Sequence, residues 1–145
     1  MAEELLSCCY RVRGLDFDKA GETSTEIKSL LRDLEIDASV IRRAVVVAFE
    51  AEMNVAMYAT EGVLTLVLTD EDIGIEMADT GPGIPDIELA MQEGWSSASD
   101  EMREMGFGFG MGLPNIQRNS DQFDVRTKVG EGTVVTCKIK LDEHD

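Results

Sequence analysis

Positive charge is scarce in this sequence. Thirteen Lys and Arg residues stand against 29 Asp and Glu, a formal net charge of −16. Such a chain repels a phosphate backbone and shows no local basic patch to offset this, so direct recognition of nucleic acid is not expected. Long apolar runs are also missing. None reaches the roughly 18 to 20 residues that cross a bilayer, and the acidic opening MAEELLS lacks the basic segment of a secretory signal. The expected location is the cytoplasm, with no membrane partner. Cysteine is limited to Cys8, Cys9 and Cys137. The odd count, with two members adjacent and hence on opposite faces of a strand, suits neither a disulfide framework nor a metal knuckle; reduced core or surface thiols are expected. Histidine occurs once, as His144. Internal repeats, linkers and stretches polar enough to be a disordered tail are absent.

What is there suits one ordinary globular unit. With 145 residues, 43% of them hydrophobic and 29% charged, the chain reads as a single domain over 1–145 with one real core. Leu5 to Val12 reads as a strand. Leu15 to Leu34 follows as an amphipathic helix, with Ile27, Leu30, Leu31 and Leu34 on one face. Asp37 is placed to cap a second helix from Ala38 to about Ala59, apolar almost all the way round and therefore central and buried. Val63 to Thr69 and Ile73 to Asp79 read as a hairpin across Asp70-Glu71-Asp72. After the turn Gly81-Pro82-Gly83 come a short helical piece, Asp86 to Gln92, and an aperiodic, lid-like stretch from Glu93 to Gly110. A helix from Leu113 to about Ser120 leads to two strands, Phe123 to Lys128 and Thr133 to Leu141, across Gly130-Glu131-Gly132. This order predicts an α+β fold, an α/β two-layer sandwich with helices against one face of a mixed or antiparallel sheet.

Several polar residues interrupt these apolar patterns. Ile73, Ile75 and Met77 share one strand face at period two, and the next member of that face is Asp79. A carboxylate there needs a donor partner or a wet cleft, since burying an unpaired charge costs several kcal/mol. An adenine exocyclic amine would serve; equally, Asp79 could cap the following turn. In the last strand Val135, Cys137, Ile139 and Leu141 alternate with polar residues, which turns Thr133 inward. If the two strands lie side by side, Asp79 and Thr133 meet around one ligand; otherwise Thr133 bonds neighbouring backbone. On the second helix Glu50 and Asn54 are four residues apart and so share a face. The Asn54 oxygen is a hard, neutral ligand suited to Mg²⁺, and Glu50 is placed to orient or deprotonate an attacking hydroxyl or water. The alternative is a solvated stripe of Glu50, Glu52 and Asn54. Glu52, on the other side, reads as surface.

Gly106, Gly108, Gly110 and Gly112 alternate with Phe107, Phe109 and Met111 just before a helix whose first turn contains Pro114. Glycines let backbone amides approach an anion, supplying the phosphate donors that an acidic protein otherwise lacks. A flexible lid without ligand has the same composition. The spacing differs from the dinucleotide fingerprint, which also requires a strand directly before the loop.

Together these segments resemble the GHKL or Bergerat-fold superfamily, the ATPase domain shared by DNA gyrase, a heat-shock chaperone, MutL and sensor histidine kinases, over roughly residues 36 to 141. Glu50-Ala51-Glu52-Met53-Asn54 looks like the N box, and Asp79-Thr80-Gly81-Pro82-Gly83 like the D-x-G-x-G adenine box. Gly110-Met111-Gly112-Leu113 looks like the second glycine box, and Gly130-Glu131-Gly132-Thr133 like the closing G-x-G-T. The short chain, the opening strand and helix, Gly112-Leu113-Pro114, Arg118, Asp121 and Phe123 are similar to bacterial anti-sigma-factor serine/threonine kinases. The resemblance implies a Bergerat fold with a mixed sheet, ATP and Mg²⁺ as cofactors, Mg²⁺ at Asn54, adenine at Asp79 in a pocket shaped by Gly81 and Gly83, and Glu50 as base. Arg103 would stand near the γ-phosphate. The implied substrate is a serine on an anti-anti-sigma (STAS-type) protein, with a sigma factor, a phosphatase or a second copy of the chain as further partners. The position four residues beyond Asn54, often histidine in the family, is Tyr58.

Alternative outputs are an ATP-gated binding switch without phosphotransfer, with Met91, Met102, Met105, Phe107 and Phe109 as an adaptable surface, and a detached histidine-kinase catalytic domain. The latter lacks a phosphoacceptor helix, because His144 is the only histidine. A further reading is an interaction module in which the motifs no longer bind nucleotide.

Overall fold

A computed structural model describes residues 3–14, 19–84, 91 and 112–141. The expected strand is β1, Glu4–Arg13, and the first helix is α1, Glu22–Asp33. The second, α2, runs Ala38–Tyr58. The hairpin is β2, Glu61–Thr69, with β3, Asp72–Thr80; then come α3, Gly112–Arg118, β4, Gln122–Lys128, and β5, Gly132–Lys140. The helical piece and the lid expected between Asp86 and Gly110 lie outside the described residues, apart from Met91, which packs partly buried against the core.

The five strands form one sheet in the order β1-β2-β3-β5-β4, and all four pairings are antiparallel. The mixed sheet implied by the resemblance is therefore not what the described strands form. The reason is insertion: β4 runs in the same direction as β3, but β5 lies between them and opposes both. The two-layer arrangement holds. Period-two alternation turns Leu64, Leu66 and Leu68 of β2, Ile73, Ile75 and Met77 of β3, and Val135, Cys137 and Ile139 of β5 to one buried face. Against it lies α2, whose Val40, Ala44, Val47, Ala48, Ala51 and Val55 are almost fully buried. Ile27 and Leu31 of α1, and Leu113 and Ile116 of α3, complete the same core.

Asp37 does occupy the N-cap of α2, but its side chain makes no capping bond to the helix backbone; it accepts a 2.8 Å bond from the Ser39 hydroxyl instead. Cys8 and Cys9 point to opposite faces as expected, and the three thiols are free. Burial pushes the Cys137 thiol up, which suits an inert core group.

Glu52 corrects the surface reading. It is only 2% exposed, and its two carboxylate oxygens accept hydrogen bonds from the backbone amides of Thr23 and Ser24 at 3.2 and 3.3 Å. These are amides of the first turn of α1, which have no partner within their own helix. The N-cap residue, Gly21, has no side chain to offer. A carboxylate from α2 caps α1 across the helix interface, also meeting the positive end of its dipole. Burial raises the Glu52 carboxyl above its usual range, partly offset by these amides.

Glu52→Ala strands both amides and leaves a cavity. The expected loss is about 2–4 kcal/mol of unfolding free energy by urea titration; a loss below about 0.5 kcal/mol, ordinary for a surface position, would remove the capping role.

Candidate functional site

At the end of β3 the inward face passes from Met77 to Asp79, and β5 starts opposite it with Thr133 as the direct register partner of Asp79. The two residues meet as the strand parity predicted. The Thr133 amide donates to Asp79 Oδ1 at 3.1 Å, and Thr133 itself is 7% exposed. Asp79 is half-buried, and no donor reaches its Oδ2 among the described residues. One carboxylate oxygen is thus fixed by the sheet, and the other is left as an acceptor. The first hydrogen bond of Asp79 goes across the sheet and not into the following turn.

The turn after Asp79 is stitched to the hairpin between β4 and β5. Gly81 N–H donates to the Glu131 carbonyl at 3.3 Å, Gly130 N–H to the Pro82 carbonyl at 2.9 Å, and Ile84 N–H to Thr127 Oγ1 at 2.8 Å. Thr127 Oγ1 lies 3.0 Å from Thr133 Oγ1. Gly83 has φ +77°, and a Cβ there would stand 2.7 Å from the Lys128 carbonyl, so only glycine fits. A Cβ on Gly81 would meet Ala59 Cα at 3.0 Å and Asp79 Oδ1 at 3.4 Å. Its absence lets the C-terminal end of α2 close on the Asp79 carboxylate.

Glu50 and Asn54 are both half-buried on the same side of α2, between the buried residues that surround them. They do not form a solvated stripe with Glu52, which faces α1. Gly112 packs on Asn54: a Cβ there would lie 3.0 Å from Asn54 Oδ1. Asn115, one turn along α3, donates from Nδ2 to Glu50 Oε2 at 2.7 Å. The N-terminal end of α3 therefore touches both Glu50 and Asn54. Tyr58, one turn beyond Asn54, is half-buried at the end of the helix.

Asn54, with a neutral oxygen, half-buried and without a hydrogen bond among the described residues, fits a Mg²⁺ ion that takes one protein ligand and completes its octahedron with phosphates and water. Among the described residues no group of three His, Cys, Asp or Glu side chains gathers to form an all-protein cage. Arg103, Gly106, Gly108 and Gly110, and the lid residues Met102, Met105, Phe107 and Phe109, lie outside the described residues. Sequence reasoning passed over Thr127 and the Asn115–Glu50 contact. Thr127 had a signal, because it continues the inward alternation of Phe123 and Val125. The Asn115 contact joins positions 65 residues apart and had none.

Residues 37–143 match the family of histidine kinase-, DNA gyrase B- and HSP90-like ATPases. The chain belongs to this ATPase family. Glu50, Asn54, Asp79, Thr133 and the run Gly106 to Gly112 all lie within the matched residues. Among curated relatives, the chain is 32% identical over 90 residues to the serine/threonine-protein kinase RsbT of Bacillus subtilis, covering 59% of this chain and 62% of that protein. It is 35% identical over 91 residues to the anti-sigma F factor of Caldanaerobacter subterraneus, covering 59% and 60%. With the anti-sigma F factor of Clostridium acetobutylicum the identity is 33% over 97 residues, covering 63% and 64%. Each alignment spans less than two thirds of the relative's own length. No helix among the described residues of this ATPase-family chain is long and apolar enough to cross a membrane.

Burial pushes the Asp79 carboxyl above its usual range, partly offset by the Thr133 amide. The folded state then holds this proton more tightly than the unfolded chain. Stability from the group is present below the ordinary Asp value of 3.8 and is lost as pH rises through the raised native value. At neutral pH the carboxylate therefore burdens folding. Asp79→Asn keeps an acceptor for the Thr133 amide and removes the charge, so its melting temperature at pH 7 should equal the wild type's or exceed it by about 2–4 °C, the gap closing towards pH 3. A fall of several degrees at pH 7 would show that the ionised group serves the fold.

Proposed function

We propose that the chain is an ATP-dependent serine/threonine protein kinase of the anti-sigma-factor type. Its substrate in this reading is a serine or threonine hydroxyl on a STAS-type antagonist, and it also sequesters a sigma factor in the cytoplasm. The observation that carries the reading is the pairing of Glu50 with Asn54 one turn apart on α2, both half-buried, on the helix whose C-terminal Ala59 packs against Gly81 next to the Asp79–Thr133 pair. The RsbT kinase and the anti-sigma F factors among its relatives support the class.

In this scheme Asp79 accepts from the adenine amine through the oxygen that the Thr133 amide leaves unbonded, and Gly81 and Gly83 keep the pocket wall free of side chains. The amides of Gly106, Gly108, Gly110 and Gly112 serve the phosphates, with Arg103 near the γ-phosphate. Mg²⁺, held by Asn54, neutralises phosphate charge when bound. Glu50 takes the proton of the substrate hydroxyl as its oxygen bonds to the γ-phosphorus and the bridging bond to ADP breaks.

Purified protein incubated with γ-labelled MgATP and STAS-type proteins from the same genome is expected to yield phosphoserine or phosphothreonine on one of them. Glu50→Gln should lower transfer by about a hundredfold or more while MgATP binding stays within about threefold. Transfer by Glu50→Gln at the wild-type rate, or no Mg²⁺-dependent ATP binding at all, would refute the kinase reading. Tight ATP-dependent binding of a sigma factor or phosphatase without phosphotransfer would identify a switch instead. Asp79→Asn should weaken ATP binding by about a hundredfold, because the adenine amine then meets a side chain that no longer carries a charged acceptor.

A further inference from the structure

Asn115 belongs to none of the motifs discussed above, yet it makes the shortest described side-chain contact to Glu50. Its Nδ2 donates to Glu50 Oε2 at 2.7 Å, the length of a charge-assisted bond. Its Oδ1 accepts from Arg118 Nη1 at 3.4 Å, one turn along the same helix. The two contacts fix the carboxamide: turned over, it would set its oxygen against the Glu50 carboxylate and its NH₂ against the guanidinium. Arg118 thus orients Asn115, and Asn115 orients Glu50. Asn119 Nδ2 donates to the Asn115 carbonyl at 2.8 Å, securing the backbone that carries it.

A carboxylate acting as base must present one oxygen at a defined place, and a displacement of about 1 Å can cost about a hundredfold in rate. Binding Oε2 from α3 leaves Oε1 to receive the hydroxyl proton. The same helix begins at Gly112, the last member of the glycine run, whose Cα packs on the Asn54 carboxamide. We infer that Asn115 is the positioning residue for Glu50, and that through it the seating of the glycine-run helix sets the geometry of the base. This rests on Glu50 acting as the base in the kinase reading.

The test uses the full chain, MgATP and the STAS-type protein phosphorylated in the assay above. Asn115→Ala should lower kcat about 10- to 100-fold with the KM for ATP within about twofold. Asn115→Asp should lower it further by opposing two carboxylates. Asn115→Ser, which retains a donor, should recover part of the rate. In a Glu50→Gln background, Asn115→Ala should cost nothing more, because both substitutions act on one step. Melting temperatures of the three single Asn115 variants should lie within a few degrees of wild type, alanine being the better helix former. If Glu50→Gln is impaired but Asn115→Ala transfers normally, or if the two losses multiply, the positioning role is overturned and the kinase reading stands. If Glu50→Gln transfers at the wild-type rate, or the wild-type chain phosphorylates no STAS-type protein, the kinase reading fails and the positioning role fails with it.

Discussion

The hydrogen bond from the Thr133 amide to Asp79 is the contact on which the site's arrangement depends. It places a carboxylate at the inward-facing end of a strand, where the apolar pattern of β3 calls for another Ile or Met. One oxygen is bound by the sheet, and the other meets no donor among the described residues. The turn glycines follow from the same need. Gly81 clears the space beside Oδ1, and Gly83 bends the chain back under the Lys128 carbonyl so that Ile84 can reach Thr127.

On the helical layer a second pair of polar groups is held in a comparable way. Asn54 and Glu50 sit between residues that belong to the core, and both are touched by α3. The two halves of the site approach at the C-terminal end of α2, where Ala59 packs over Gly81. This geometry brings a sheet-bound carboxylate on one layer and a half-buried carboxamide and carboxylate on the other, the last two contacted by the helix that begins at Gly112.

Much of this was legible because it is local. Period-two alternation predicted that Asp79 and Thr133 face inward, helical spacing joined Glu50 to Asn54, and seven of the eight described elements begin within two residues of where the pattern sets them. The exception is α1, expected from Leu15 and found from Glu22, because Gly21 breaks the run. What escaped is non-local. Glu52 reads as a surface residue because it is charged, and its partner is the amide end of another helix and not a side chain with a pattern of its own. The strand order, with β5 between β3 and β4, is set by a crossover that no short window contains. Asn115 acquires its role only when α3 docks on α2.

The central claim is that the free oxygen of Asp79 reads adenine. Isothermal titration with MgATP and MgGTP tests it most directly, because guanine presents a carbonyl where adenine presents an amine and would set an acceptor against the carboxylate. ATP is expected to saturate one site, with GTP weaker by about a hundredfold or more. Equal affinities for the two nucleotides would contradict the account.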